Sequence, residues 1–255
     1  MSQYTVGIIQ ARMGSTRLPG KVMLPLGDHL DLEHVIHRVQ RASEIDEVVV
    51  ATTTKTADDI IEWCSENAGA TVFRGDEQNV LDRMYRAAKT VEADEIVRIT
   101  ADCPLIDPTV IDAVVRRRRA SNADYVSNIL ERTFPRGLDV EVFTAESFER
   151  VHSHASTSSQ LEHVTLYYRD NSDEFEFANV TSAEVFDQEQ LQNRTDLRLT
   201  LDEAQDYLLL REIFEQVDYE NTPQLLDVIE YIDKHGLGEM NETVIQKSTH
   251  DASRN

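Results

Sequence analysis
The chain has 255 residues, 40% of them hydrophobic and 7% aromatic, which suffices for one substantial α/β core and leaves little for a second. A formal charge of −22 excludes the basic surface that drives non-specific nucleic-acid binding, and no apolar run approaches the roughly 18 residues of a membrane-crossing helix. Only five of the 25 basic residues are Lys, and so acid-rich a surface is expected to gain stability as salt screens its self-repulsion.

Met1 to Tyr4 run straight into an apolar segment and leave no room for a signal peptide, so a cytoplasmic location is expected. That segment reads as a buried strand over 4–9. It breaks into a loop that carries Gly14, Ser15, Thr16 and Gly20, with Arg12, Arg17 and Lys21 spaced along it. A small-residue loop at a strand end offers backbone N–H groups, and with its fixed cations it suits a nucleotide phosphate chain. It is not a Walker A loop: five residues separate Gly14 from the Gly20-Lys21 pair, and Val22 stands where Ser or Thr would hold magnesium. Nor is there a G-x-G-x-x-G dinucleotide fingerprint. A merely solvated basic turn would be out of character in so acidic a chain.

Further strands are expected over 46–52, 70–74 and 94–100. Between them, apolar residues at helical spacing predict helices over 31–43, 56–67, 78–91 and 108–120. Asp58 and Asp59 suit a helix start, and Pro108 a first helical turn. Alternating strands and helices predict a mostly parallel sheet covered on both faces, a three-layer α/β/α sandwich. Arg116 to Arg119 read as a solvated basic face. Cys64 and Cys103 lack C-x-x-C spacing and read as packing residues.

From 122 to 182 the rhythm changes. Strands over 123–127 and 138–143 bracket a Pro135-Arg136-Gly137 turn, followed by helices over 145–154 and 157–169 and a strand over 175–180. This stretch is expected to be an insertion within a single domain spanning 1–238, carrying the acceptor side and a dimer contact. A strand over 196–202 and helices over 203–217 and 222–235 return to the earlier pattern. Residues 239–255 read as a loose polar tail.

Asp102 and Asp202 each end a strand-like run, in Arg98-Ile-Thr-Ala-Asp-Cys-Pro and Arg198-Leu-Thr-Leu-Asp. Strand ends at the carboxyl edge of such a sheet face the ligand crevice. Asp206, four residues on, reads as a first-turn acid favourable to the helix dipole.

The segment from Gly7 to Lys21, GIIQARMGSTRLPGK, resembles the opening motif of the cytidylyltransferases that activate acidic sugars, the CMP-sialic acid and CMP-Kdo synthetase group, and more closely its SpsF-like spore-coat-polysaccharide branch. The segments ending in Asp102 and Asp202 resemble the family's magnesium-binding acids. The resemblance implies transfer of CMP from CTP to a sugar, acidic in this family, with release of pyrophosphate and a homodimeric enzyme. Arg12, Lys21, Asp102 and Asp202 would be catalytic, the last two through Mg²⁺. Gln10, Ala11, Met13, Gly14, Ser15 and Arg17 would hold the nucleotide, joined by Arg74, Arg83, Arg98 and Thr100, with Asp82 a further contact. Arg136, Asp139, Glu141, Glu162 and His163 would face the acceptor. Two other classes stay open: a metal-dependent glycosyltransferase, whose D-x-D pair Asp102-Cys-Pro lacks, and a non-catalytic nucleotide-binding module.

Overall fold
The computed structural model describes residues 3–217 and 223–244. In chain order, β1 (Thr5–Gln10) leads through the cationic loop to a small hairpin, β2 (Pro25–Leu26) and β3 (His29–Leu30). Then come α1 (Asp31–Gln40), β4 (Glu47–Thr53), α2 (Asp59–Asn67), β5 (Thr71–Gly75), α3 (Val80–Thr90), β6 (Glu95–Thr100) and α4 (Pro108–Ser121). β7 (Tyr125–Ser127), β8 (Glu141–Thr144), α5 (Ala145–His154), α6 (Ser158–Glu162) and α7 (Leu166–Asp170) follow. After them stand β9 (Phe177–Asn179), α8 (Ser182–Val185), α9 (Ala204–Gln216) and α10 (Leu225–His235).

Among the described residues the main sheet has seven strands in the order β5-β4-β1-β6-β8-β7-β9. β8 runs against its neighbours β6 and β7, and the remaining pairings are parallel. The fold is a three-layer α/β/α sandwich. Along β1, Val6 and Ile8 enter one core while Ile9 enters the other, and all three are fully buried. Two-sided burial is what a continuous apolar run buys in a parallel sheet. Each such side chain contributes about 1.5–3 kcal/mol. Helix α1 sends Leu32, Val35, Ile36 and Val39 inward at helical spacing. It lies so close to β1 that a Cβ on Gly7 would sit 2.7 Å from Val39 Cγ1.

The 122–182 stretch contributes β7, β8 and β9 to this same sheet. Its expected second helix is two short ones, since the chain turns at His163 to bury Val164 and to bring the Thr165 hydroxyl onto Glu141. Among the described residues, the strand expected over 196–202 makes only one bridge, Arg198 to Arg136. Its alternation is nonetheless physical: Leu197, Leu199 and Leu201 are buried in an extended segment that has no ladder, because β8 already occupies the place beside β6. Gly137 makes this segment possible. Its φ is +101°, and a Cβ there would lie 2.4 Å from the Leu199 carbonyl oxygen.

Two further expectations change. The basic run is a solvated face only in part: Arg116 and Arg117 are exposed, but Arg118 is buried against Glu95, and Arg119 donates to Glu95 at 3.1 Å and to Glu44 at 2.5 Å. The tail expected from 239 is anchored near its start, for Asn241 is buried and donates to Arg198 O at 2.9 Å and Asp206 Oδ1 at 2.8 Å. The rest of that tail, 245–255, and the first residue of the helix expected over 222–235 lie outside the described residues. Among the described residues no helix is long and apolar enough to cross a membrane.

Candidate active site
Gln10 and Thr100, the last residues of β1 and β6, are partners in register, so the loops that follow leave the sheet side by side. The Ala101 N–H donates back to Gln10 O at 3.1 Å. The first loop folds on itself through Met13 O, which accepts from the Ser15 and Gly20 amides at 2.8 and 3.1 Å. Gly20 is left-handed, with φ +70°, and starts the short turn that returns Lys21 to the cleft. The late acid reaches the same place because Asp102 O accepts from Leu201 N at 2.8 Å and Thr200 Oγ1 at 3.0 Å.

The result is a cleft of about 260 Å³ lined by the 10–17 loop, Lys21, Thr100, Asp102 and Asp202. Lys21 Nζ stands 2.6 Å from Asp102 Oδ2 and 2.6 Å from Asp202 Oδ1. Arg17 adds a contact to Asp202 Oδ1 at 3.1 Å, and Arg198 holds Asp202 Oδ2 at 2.9 Å. Burial alone would lower the Lys21 pKa, but the two carboxylates outweigh it and raise it. Burial likewise pushes Asp102 up, and the Lys21 charge and hydrogen bond bring it below the usual carboxylate range. Asp206 is more than a first-turn acid. It is fully buried, accepts the Asp202 and Glu203 amides at 3.0 Å each, and grips Arg198 at 2.9 and 3.2 Å.

A second cavity of about 850 Å³ adjoins the first, with Arg12, Gly14 and Thr16 lining both. Its far walls are the 76–79 loop, Asp82, and Ser158, Leu161 and Glu162 of α6. Glu162 therefore faces the cationic loop, as does Asp82, which also meets His152 Nε2 at 2.9 Å.

Other expected contacts lie elsewhere. Arg74 sits on the edge strand β5 and is spent on Asp59, Glu62 and the Thr53 and Lys55 carbonyls, bracing β4 to α2. Arg83 is buried beneath the second cavity and donates to Asp76 O at 2.6 Å; burial pushes its pKa down to about 10. Arg98 donates to Gln10 Oε1 at 3.1 Å and pairs with Glu141. Glu141 is not free for an acceptor: it is buried, and its other oxygen accepts from Tyr125 at 2.6 Å and Thr165 at 2.7 Å. Asp139 makes a two-pronged pair with Arg132 at 2.7 and 2.8 Å. Arg136 is half-buried beside the 197–199 segment. His163 is half-buried, its Nε2 is shut off from solvent without a hydrogen-bond partner among the described residues, and burial lowers its pKa.

Asp58 is a residue that local pattern missed. It starts α2 as expected, yet it is buried, and its Oδ1 accepts the Met13 amide at 2.7 Å while Oδ2 accepts the Thr53 hydroxyl. Nothing in the local sequence separates such an anchor from an ordinary capping acid.

A cytidylyltransferase family model matches residues 6–242. The chain belongs to the cytidylyltransferase family. An uncharacterised protein of Methanocaldococcus jannaschii is 38% identical over 95% of this chain and 96% of its own length. The spore coat polysaccharide biosynthesis protein SpsF of Bacillus subtilis is 36% identical over 82% of this chain and 85% of its own. A solved cytidylyltransferase from Leptospira borgpetersenii superposes with a TM-score of 0.85 at 34% identity, covering 96% of this chain and all of that one. The 3-deoxy-manno-octulosonate cytidylyltransferase of Trichlorobacter lovleyi, 36% identical, aligns with only 43% of either chain. The likeness to SpsF thus spans about four-fifths of the chain, where that to the octulosonate enzyme spans less than half, and the enzyme is a sugar nucleotidyltransferase.

Proposed function
We propose that this cytidylyltransferase moves CMP from CTP onto an acidic sugar, releasing pyrophosphate, in the cytoplasm and as a homodimer, for the assembly of a surface polysaccharide. The observation that carries this reading is the meeting of Lys21 with Asp102 and Asp202, from three distant parts of the chain, at the mouth of an amide-rich loop. Arg12, Arg17 and Lys21 supply fixed positive charge where a triphosphate would lie, and charge developing on phosphoryl oxygens is where such groups act most strongly. Arg98 orients Gln10, and Arg83 holds the 76–77 backbone, so both contribute by shaping the walls. The second cavity is large enough for nucleoside and acceptor, with Glu162 and Asp82 as hydrogen-bonding groups.

One oxygen of each of Asp102 and Asp202 points at a single cation position, so the pair fits Mg²⁺, which favours one or two carboxylates completed by phosphate and water. Bound there with CTP, it would neutralise the triphosphate and the leaving pyrophosphate.

The test is pyrophosphate release from each NTP in turn, with Mg²⁺ and a panel of acidic and neutral sugars. Release with CTP and an acidic sugar is expected, and Asp102→Asn should lower it by about 10² or more. Acceptor-independent silence with CTP but turnover of a nucleotide sugar would replace this reading with the glycosyltransferase one.

A further inference from the structure
The carboxylates that suit a divalent cation are already neutralised from within. Lys21 Nζ is 2.6 Å from both, Arg17 reaches Asp202 Oδ1 at 3.1 Å, and Arg198 occupies Asp202 Oδ2 at 2.9 Å. These cations are not equivalent. Arg198 is itself locked by Asp206, which also holds the Asp202 backbone, so it stays where it is. Lys21 comes from the phosphate loop's own exit turn and lines the cleft, on a flexible stem. It therefore stands in the place a metal would take, bound to the two oxygens a metal would need.

We infer that Lys21 is a built-in counter-ion that keeps the acid pair closed to metal until a triphosphate arrives. The inference rests on the proposed CTP site. Without nucleotide, metal binding would have to strip a tethered ammonium from two charge-assisted hydrogen bonds and leave it in a cleft already holding Arg12 and Arg17. A triphosphate changes the exchange: its oxygens take over the ammonium, freeing Asp102 Oδ2 and Asp202 Oδ1, and they also supply the ligands that two carboxylates lack. Among the described residues no group of three or more His, Cys, Asp or Glu side chains is arranged to hold a metal by protein atoms alone. Lysine release, nucleotide binding and metal entry are then one coupled event, with metal and CTP each strengthening the other's binding.

Mn²⁺ serves as the probe, its free concentration followed by electron paramagnetic resonance in the absence of acceptor sugar. Wild-type protein should bind Mn²⁺ at least tenfold more weakly without CTP than with it. Lys21→Met should bind Mn²⁺ without CTP at least tenfold more tightly than wild type, since the acid pair is left with an unbalanced negative charge. The double variant Lys21→Met/Asp102→Asn should lose that gain. Lys21→Gln, nearer in polarity, guards against a packing artefact, and a thermal melt of each variant confirms folding. Equal Mn²⁺ affinity of wild type and both Lys21 variants without CTP would overturn the counter-ion role while leaving the site intact. CTP-dependent Mn²⁺ binding that ignores Asp102→Asn would instead overturn the assignment of the metal to this pair.

Discussion

Asp58 Oδ1 accepts the backbone N–H of Met13 at 2.7 Å, tying the start of α2 to the cationic loop 45 residues upstream. The bond is half-buried and its acceptor is a carboxylate, a class contributing about 1.5–3 kcal/mol. Asp58→Ala should let the loop drift and reduce kcat/KM for CTP roughly 10- to 100-fold, at the scale of that energy. Asp58→Asn keeps an acceptor oxygen and should lose far less. Steady-state kinetics with CTP varied at saturating acceptor read both, and equal behaviour of the two variants would show that the Met13 bond does not matter.

Glu141 separates two roles cleanly. A carboxylate that binds acceptor would, once neutralised, raise the acceptor KM and leave stability alone. Glu141 instead balances Arg98 in the interior, and removing one partner of a buried pair costs about 3–5 kcal/mol. Glu141→Gln should therefore lower the midpoint of urea unfolding markedly, and it should disturb CTP binding through Arg98 and Gln10.

The His34 ring sits in the apolar layer against Phe214, its Nε2 2.8 Å from Leu26 O, and burial lowers its pKa from 6.5 to about 4. A group whose folded pKa is depressed contributes stability that is present above the unfolded value and fades as pH falls. Wild-type stability should thus decline from pH 6.5 towards pH 4, with His34 responsible for roughly 3 kcal/mol. His34→Gln should flatten that part of the curve relative to wild type in denaturant titrations at pH 7, 5.5 and 4.5.

With a formal charge of −22, the folded surface repels itself in dilute buffer. Raising KCl from about 0.05 to 1 M shortens the screening length from over 10 Å to about 3 Å. The melting temperature should climb by several degrees over that range, and a flat response would remove the case for adaptation to salt.

Short-range chemistry was legible before any coordinates. The apolar run into a small, cationic loop, the helical spacing of Leu32, Val35, Ile36 and Val39, and the acids closing two strand-like runs all sit in contiguous sequence. Physical constraints of period and composition act at that range, and the structure brings Lys21, Asp102 and Asp202 together at one point. The period-two pattern at 196–202 correctly reported an extended, half-buried segment, but alternation does not say whether a neighbouring strand has a vacant edge.

What the linear chain by itself determined is the list of charges and the local frame carrying each one. Which charge faces the cleft and which is consumed in the interior was decided only by packing. Arg74 with Asp59 and Glu62, Arg98 with Glu141, and Asp58 with Met13 are bonds between elements far apart along the chain or on different layers. An arginine at a strand end has the same neighbours in sequence whether it meets a phosphate or a buried carboxylate. The free energy that distinguishes them, desolvation against pairing, arises only once the sheet has closed around it.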